Sequence, residues 1–142
     1  MSDNFHLQVK AWVDATEEQM LAVARNSIQA VVEDAQLEGP SKKNPAGKGG
    51  RMRVDTGFLR SSGVAALNAV PRGPTRGEKD KTYTWDGQAL LTVLMKMKLG
   101  DTFYFGWTAH YARYREVFDG FVIGATGKWQ QIVDEQVRRF KK

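Results

Sequence analysis

A stop signal at Gly39-Pro40 ends the feature that most constrains this chain, a helix-period apolar stripe filling much of its first forty residues. Met20, Leu21, Ala24, Ile28, Val31, Val32 and Ala35 recur at helical spacing over residues 16–37 and so fall on one face. Thr16 with Gln19 forms a capping box at the start, and Asp14 with Glu17 is a second frame for it. Gly39 favours the left-handed turn that ends helices, and Pro40 lacks the amide needed to continue. A helix this long must cover its apolar side, so the remaining chain has to supply a layer against it.

That layer reads as β-structure. Residues 5–13 alternate, with Phe5, Leu7, Val9 and Ala11 to one side, which predicts a short strand ahead of the helix. Residues 63–70 are small and apolar and predict a strand packed close to the helix, broken by the Gly and Pro of residues 71–77. Tyr83-Thr84-Trp85 and residues 90–97 also read as strand material, with Asp86-Gly87 as a tight turn or bulge between them. Phe103-Tyr104-Phe105-Gly106-Trp107 then returns antiparallel after Gly100-Asp101, with Phe103, Phe105 and Trp107 on one side of the pleat and Tyr104 on the other. A final helix over residues 126–140 carries Trp129, Ile132, Val133, Val137 and Phe140 as its apolar stripe. Its basic end, Arg139 to Lys142, suits the negative pole of a helix dipole without any nucleic acid. The expected fold class is α+β: an antiparallel sheet of about four strands packed against a long N-terminal helix and a C-terminal helix, with long basic and Gly/Pro-rich loops.

The 142 residues suit a single domain spanning 1–142, since a chain of this size has little surface left for a second core. Cysteine is absent, which excludes a disulfide framework and a thiolate metal site. The N-terminal residues lack the blocks of a signal peptide, and no apolar run approaches the roughly 20 residues that span a bilayer. The expectation is a soluble protein made in the cytoplasm, with no membrane partner.

Charge is concentrated. Lys42, Lys43, Lys48, Arg51 and Arg53 lie between residues 39 and 54 without an acid among them, and these five equal the whole formal excess of +5. The chain therefore reads as a neutral domain with a basic arm suited to phosphate or to an acidic protein surface. Its Gly and Pro content predicts a flexible loop over residues 39–54, either a solvated linker or a segment ordered by a partner. A second flexible loop is expected over residues 71–82.

Catalytic chemistry has little to assemble from. The two histidines, His6 and His110, come with no cysteine and no carboxylate pair at metal-ligand spacing, so no catalytic, cofactor or metal site is assigned. His110 reads as a surface or hydrogen-bonded residue. Gly47-Lys48-Gly49-Gly50 lacks the spacing and the preceding strand of a phosphate loop. Asp55-Thr56-Gly57 occurs once, whereas an aspartic protease needs two carboxylates sharing a proton. Local physics explains the triplet: Asp55 or Thr56 can accept from the free N–H groups of the next turn, and Gly57 permits a backbone angle that other residues avoid.

Two motifs carry a family resemblance. Asp55-Thr56-Gly57-Phe58-Leu59-Arg60-Ser61-Ser62 is similar to the Asp-Thr-Gly-x-Leu-Arg-x-Ser of small tail-completion proteins of long-tailed bacteriophages. Tyr111-Ala112-Arg113-Tyr114-Arg115-Glu116 is similar to the same family's Tyr-Ala-x-Tyr-x-Glu, although here the following Gly120 comes late and residues 121–123 lack the family's Pro. Order, spacing and length also resemble that family. The resemblance implies a structural virion protein, not an enzyme, that completes the tail end and joins tail to head as a ring-forming neck subunit. Implied partners are copies of itself, the tail tube or terminator, and the head connector, with DNA in the neck lumen. The implied assembly interface is Asp55, Thr56, Gly57, Leu59, Arg60, Tyr111, Tyr114 and Glu116.

A small nucleic-acid-binding module is the alternative, using the 39–54 arm and the Tyr/Arg segment 111–115, where aromatics and cations interleave. Lys42, Lys43, Lys48, Arg51 and Arg53 would then meet DNA phosphate or an acidic partner. The four tryptophans favour the core instead, because Trp107 shares a face with Phe103 and Phe105 and Trp129 sits on the apolar stripe of the last helix. Trp12 and Trp85 have environments the pattern leaves open.

Overall fold

The computed structural model describes residues 2–140. In chain order these form α1 (Ser2–Ala35), α2 (Phe58–Ser61), β1 (Gly63–Leu67), α3 (Gly87–Lys96), β2 (Phe103–Trp107), α4 (Ala112–Asp119), α5 (Phe121–Thr126) and α6 (Trp129–Phe140). The strands β1 and β2 make one two-stranded antiparallel sheet, in register from Gly63 opposite Trp107 to Leu67 opposite Phe103. The class is α+β, but a sheet of about four strands is not what the chain builds.

Each lost strand has a physical cause. Residues 5–13 lie within α1, because no Gly or Pro interrupts residues 2–38 and a single helix can run through both segments. The capping frames at Asp14 and Thr16 are consequently helix-interior positions. Residues 90–97 fall largely within α3, which is started by Asp86: its carboxylate accepts from the Gln88 N–H at 3.0 Å, so Asp86-Gly87 is a helix entry and not a hairpin turn. The far end of α3 is closed from outside. Arg25 of α1 donates to the carbonyls of Leu94 at 2.7 Å and Met97 at 2.8 Å, supplying partners that the last turn of a helix lacks. Tyr83-Thr84-Trp85 forms no strand; Tyr83 N–H instead donates to Thr56 O at 2.8 Å.

Two apolar clusters flank the sheet. Met52, Phe58, Leu59, Ala109 and Phe121 form one, and Val32, Leu90 and Leu94 form the other. Edge-on ring contacts tie them together through β2, from Trp85 to Phe105 at 6.5 Å, Phe105 to Trp107 at 5.0 Å, and Trp107 to Phe121 at 5.0 Å. Such contacts stabilise by about 0.5–1.5 kcal/mol each beyond the area they bury. The helix α6 lies along α1, anchored at one end by Lys128 Nζ to Asp34 Oδ1 at 2.9 Å. Its stripe departs from expectation: Trp129 is 42% exposed, while Gln136 is buried. Residues 141 and 142 of the basic end lie outside the described residues.

The loop over residues 39–54 folds back on the end of α1. Lys48 and Gly50 both donate to Glu38 O, at 2.9 and 3.1 Å, and Gly39 N–H donates to Met52 O at 2.6 Å. Met52 is fully buried, so the returning limb of the loop is part of the core. Gly50 is required by this closure, since a Cβ there would lie 1.9 Å from Leu37 O. The second loop is held by Thr108 Oγ1 donating to Pro74 O at 2.7 Å and His110 N–H donating to Thr75 O at 2.8 Å.

Candidate functional site: a cationic cleft

The Asp-Thr-Gly turn is built as its residues dictate. Gly57 takes φ +86° ahead of α2, and a Cβ on it would lie 2.2 Å from Tyr83 O, so both the backbone angle and the space require glycine. Thr56 Oγ1 accepts from Phe58 N–H at 3.3 Å, while Asp55 points its carboxylate to Lys43 Nζ at 3.0 Å. Phe58 and Leu59 are buried, which pins the turn to the core and leaves Arg60 on the side of the cleft described next.

That cleft, of about 640 Å3, brings the first motif and the arm against the second motif. Asp55, Thr56, Gly57, Leu59 and Arg60 line it together with Tyr111 and Arg115, and Lys42, Lys43 and Arg53 complete its wall. Tyr111 is half-buried and links the two motifs. Its phenol has a pKa raised above the ordinary tyrosine value, chiefly by burial; a hydrogen bond with the Leu59 backbone works against the shift and the Asp55 charge adds to it.

Five cations thus face one acid. Arg115 spends its charge on Asp119, donating through Nε at 3.2 Å and through a terminal nitrogen at 2.5 Å, and Asp119 also accepts from Arg53 N–H at 3.2 Å. Lys43 and Asp55 are both largely exposed, so their pair contributes little. Lys42, Arg53 and Arg60 form no salt bridge among the described residues, and Arg60 Nε is buried with no hydrogen-bond partner. An arrangement of this kind attracts and orients an anionic group.

Two arm cations are elsewhere. Lys48 stands 4.0 Å from Glu38, and Arg51 lies across α5, where its Cδ would be 2.7 Å from a Cβ at Gly124. Glu116 and Tyr114 also sit outside the cleft. Glu116 caps α5, its Oε2 accepting from Val122 N–H at 2.8 Å and its Oε1 from Ile123 N–H at 3.3 Å. Tyr114 faces outward with Val117, Phe118 and Ile123, which are 61%, 78%, 65% and 71% exposed respectively. Beside these side chains a second depression of about 860 Å3 runs between α4 and α5, bordered by Arg51 and Trp107.

Sequence reading placed Arg115 only in the Tyr/Arg segment 111–115 of the nucleic-acid alternative, not among the assembly residues, and it did not single out Val117, Phe118 and Ile123 as a surface. Helical spacing was the available signal: 111, 114, 115 and 118 follow the three- and four-residue steps of one helix, and Arg115 stands four before Asp119. His110 is accounted for, with Nδ1 2.9 Å from Thr75 O. Among the described residues no cluster of three or more potential metal-ligating side chains occurs, and no helix is long and apolar enough to cross a membrane. No protein-family model, curated protein or solved structure matches the chain.

Proposed function

We propose that this chain is a structural subunit of a bacteriophage or prophage virion that completes the tail end and joins it to the head as a member of a neck ring. The observation that carries this reading is the outward apolar group Tyr114, Val117, Phe118 and Ile123, which begins inside the Tyr111 to Glu116 motif. Four large apolar side chains exposed on one helix corner mark a surface that another protein covers. The resemblance of the two motifs supplies the kind of partner: copies of the chain, the tail tube or terminator, and the head connector. The proposal assigns the chain no catalytic role, cofactor or membrane, and places it at the neck of the particle after synthesis in the bacterial cytoplasm.

Electron microscopy of lysates from a phage with this gene disrupted tests the reading. Full heads beside separate tails of normal length are the expected result, and overlong tails would point to a terminator. Normal joined particles would overturn it.

The second reading, a nucleic-acid-binding module, is favoured by the cationic cleft itself. It now rests on Lys42, Lys43, Arg53, Arg60 and Arg115, not on Lys48 or Arg51. Phosphate binding by these cations would weaken steeply with salt.

A further inference from the structure

The cleft has an acidic counterpart on the same chain. Asp14, Glu17 and Glu18 are spaced i, i+3 and i+4 along α1 and so share one face of it. All three are exposed, and none forms an ion pair among the described residues. Lys10, one turn earlier, is exposed as well, so the segment carries three negative charges against one positive.

The two surfaces cannot meet within one copy. From Glu18 to Ala35, α1 rises about 1.5 Å per residue, or roughly 26 Å. The loop that supplies Lys42, Lys43 and Arg53 is bonded to Leu37 and Glu38, just beyond the opposite end of that helix. Each surface is therefore left with like charges held close together, which costs free energy until an opposite charge arrives.

We propose that the cationic cleft receives the Asp14, Glu17 and Glu18 face of α1 from a second copy of the chain. This rests on the subunit reading above and specifies its self-contact. Arg53 and Arg60 offer planar forks suited to carboxylates, and Val54, Phe58 and Leu59 contribute apolar lining beside them. Because the surfaces differ, the contact is head to tail, the type that closes into rings or runs into filaments. Nucleic acid is the weaker occupant. A strand needs cations repeated along its length, whereas Lys48 and Arg51, the residues that would extend the track, are directed to Glu38 and to α5.

Sedimentation velocity of the full chain at about 50 mM and about 500 mM salt provides the test, since screening at the higher salt reaches within a few ångströms. Self-association at low salt that weakens at least tenfold at high salt is expected. Glu17→Lys with Glu18→Lys should sediment as a monomer, as should Lys42→Glu with Arg53→Glu, both with unchanged circular dichroism. Mixing the two variants should restore the assembly, because reversed acid and reversed cation again match. Restoration by mixing is a result that simple misfolding cannot give.

A wild-type chain that stays monomeric at both salts overturns the proposal. Variants that associate like wild type also overturn it, while leaving the subunit reading to stand on another surface. A monomer that binds a labelled duplex, with binding lost in Lys42→Glu with Arg53→Glu, gives the cleft to nucleic acid instead. Failure of the subunit reading has a separate signature, normal particles after gene disruption.

Discussion

Trp107 donates its indole N–H to Gln36 Oε1 at 2.9 Å, and the amide nitrogen of the same Gln36 donates to Arg60 O at 2.9 Å. One glutamine just past the end of α1 therefore joins β2 to the short turn that carries Arg60. It is 1% exposed, so neither partner has ready access to water in its place. Gly63 completes the fit, because a Cβ there would lie 2.5 Å from Gln36 Nε2.

Gln36→Leu should destabilise the chain by about 2–3 kcal/mol, since it keeps most of the volume but leaves an indole N–H and a carbonyl unpaired. Urea unfolding followed by tryptophan fluorescence measures this. A loss below about 0.5 kcal/mol would mean that water satisfies both groups.

Gly50→Ala should open the 39–54 loop, because the added methyl would sit 1.9 Å from Leu37 O. Faster amide exchange at Lys48 and Met52 is expected, along with tryptic cleavage at Lys48 and Arg51 at least tenfold faster than in wild type. Gly100→Ala is the contrast, with a φ of +95° but open space around the added methyl, and should leave that loop untouched. Equal cleavage of all three proteins would show that the closure does not depend on Gly50.

The two strands taken singly, the last helix and the glycine turn were legible because each is specified locally. The partner of Phe103 to Trp107 was not: it is Gly63 to Leu67, about forty residues earlier, and not residues 90–97. Gly57 announces a positive φ, and Phe103 to Trp107 alternates in a way that only a strand exploits. Residues 90–97 were not legible, since an apolar run of that length suits either a strand or a helix. What settles it lies 65 or more residues away, in Arg25 closing the carbonyl end of α3. The cleft shows the same split. Its motif residues could be picked out one by one, but the return of Met52 to the core decides that Lys42 and Arg53 face it while Arg51 does not.

Asp101 should titrate below the ordinary aspartate range. Its carboxylate accepts from Lys98 N–H at 2.8 Å and from the Asn68 side chain at 3.2 Å, and both hydrogen bonds favour the charged form, the backbone one most. A lowered folded value means that the contribution is complete above the unfolded pKa and is lost as pH falls through the folded pKa. The difference in urea midpoint between wild type and Asp101→Asn should therefore shrink on acidification below the usual carboxylate range. A difference that persists unchanged in acid would count against the charged form as its source.

Tyr111 gives the opposite sign. Burial raises its pKa above the ordinary value, so the neutral phenol is favoured by the fold. Its contribution is complete below the unfolded pKa and is lost as pH rises through the folded one. Absorbance at the tyrosinate band should show a step above the ordinary tyrosine value, and Tyr111→Phe should remove that step. A high-pH tyrosinate step that survives unchanged in Tyr111→Phe would contradict the burial argument.

Glu116 separates a structural from an interfacial origin for the second motif. Gly120, at φ +63°, ends α4 in the left-handed conformation, and its N–H donates to Glu116 O at 2.9 Å. The chain then turns into α5, whose first free N–H groups meet the Glu116 carboxylate. Glutamate and glycine four apart thus form one device, closing one helix and opening the next. Glu116→Ala should cost about 1 kcal/mol, the usual loss for a helix cap, and Glu116→Gln, which retains one acceptor oxygen, should cost less. Tyr114→Ser and Val117→Ser should do the reverse, leaving unfolding nearly unchanged while reducing contact with a partner. If Glu116→Ala instead folds as stably as wild type and loses only association, the carboxylate belongs to the interface and the cap is incidental.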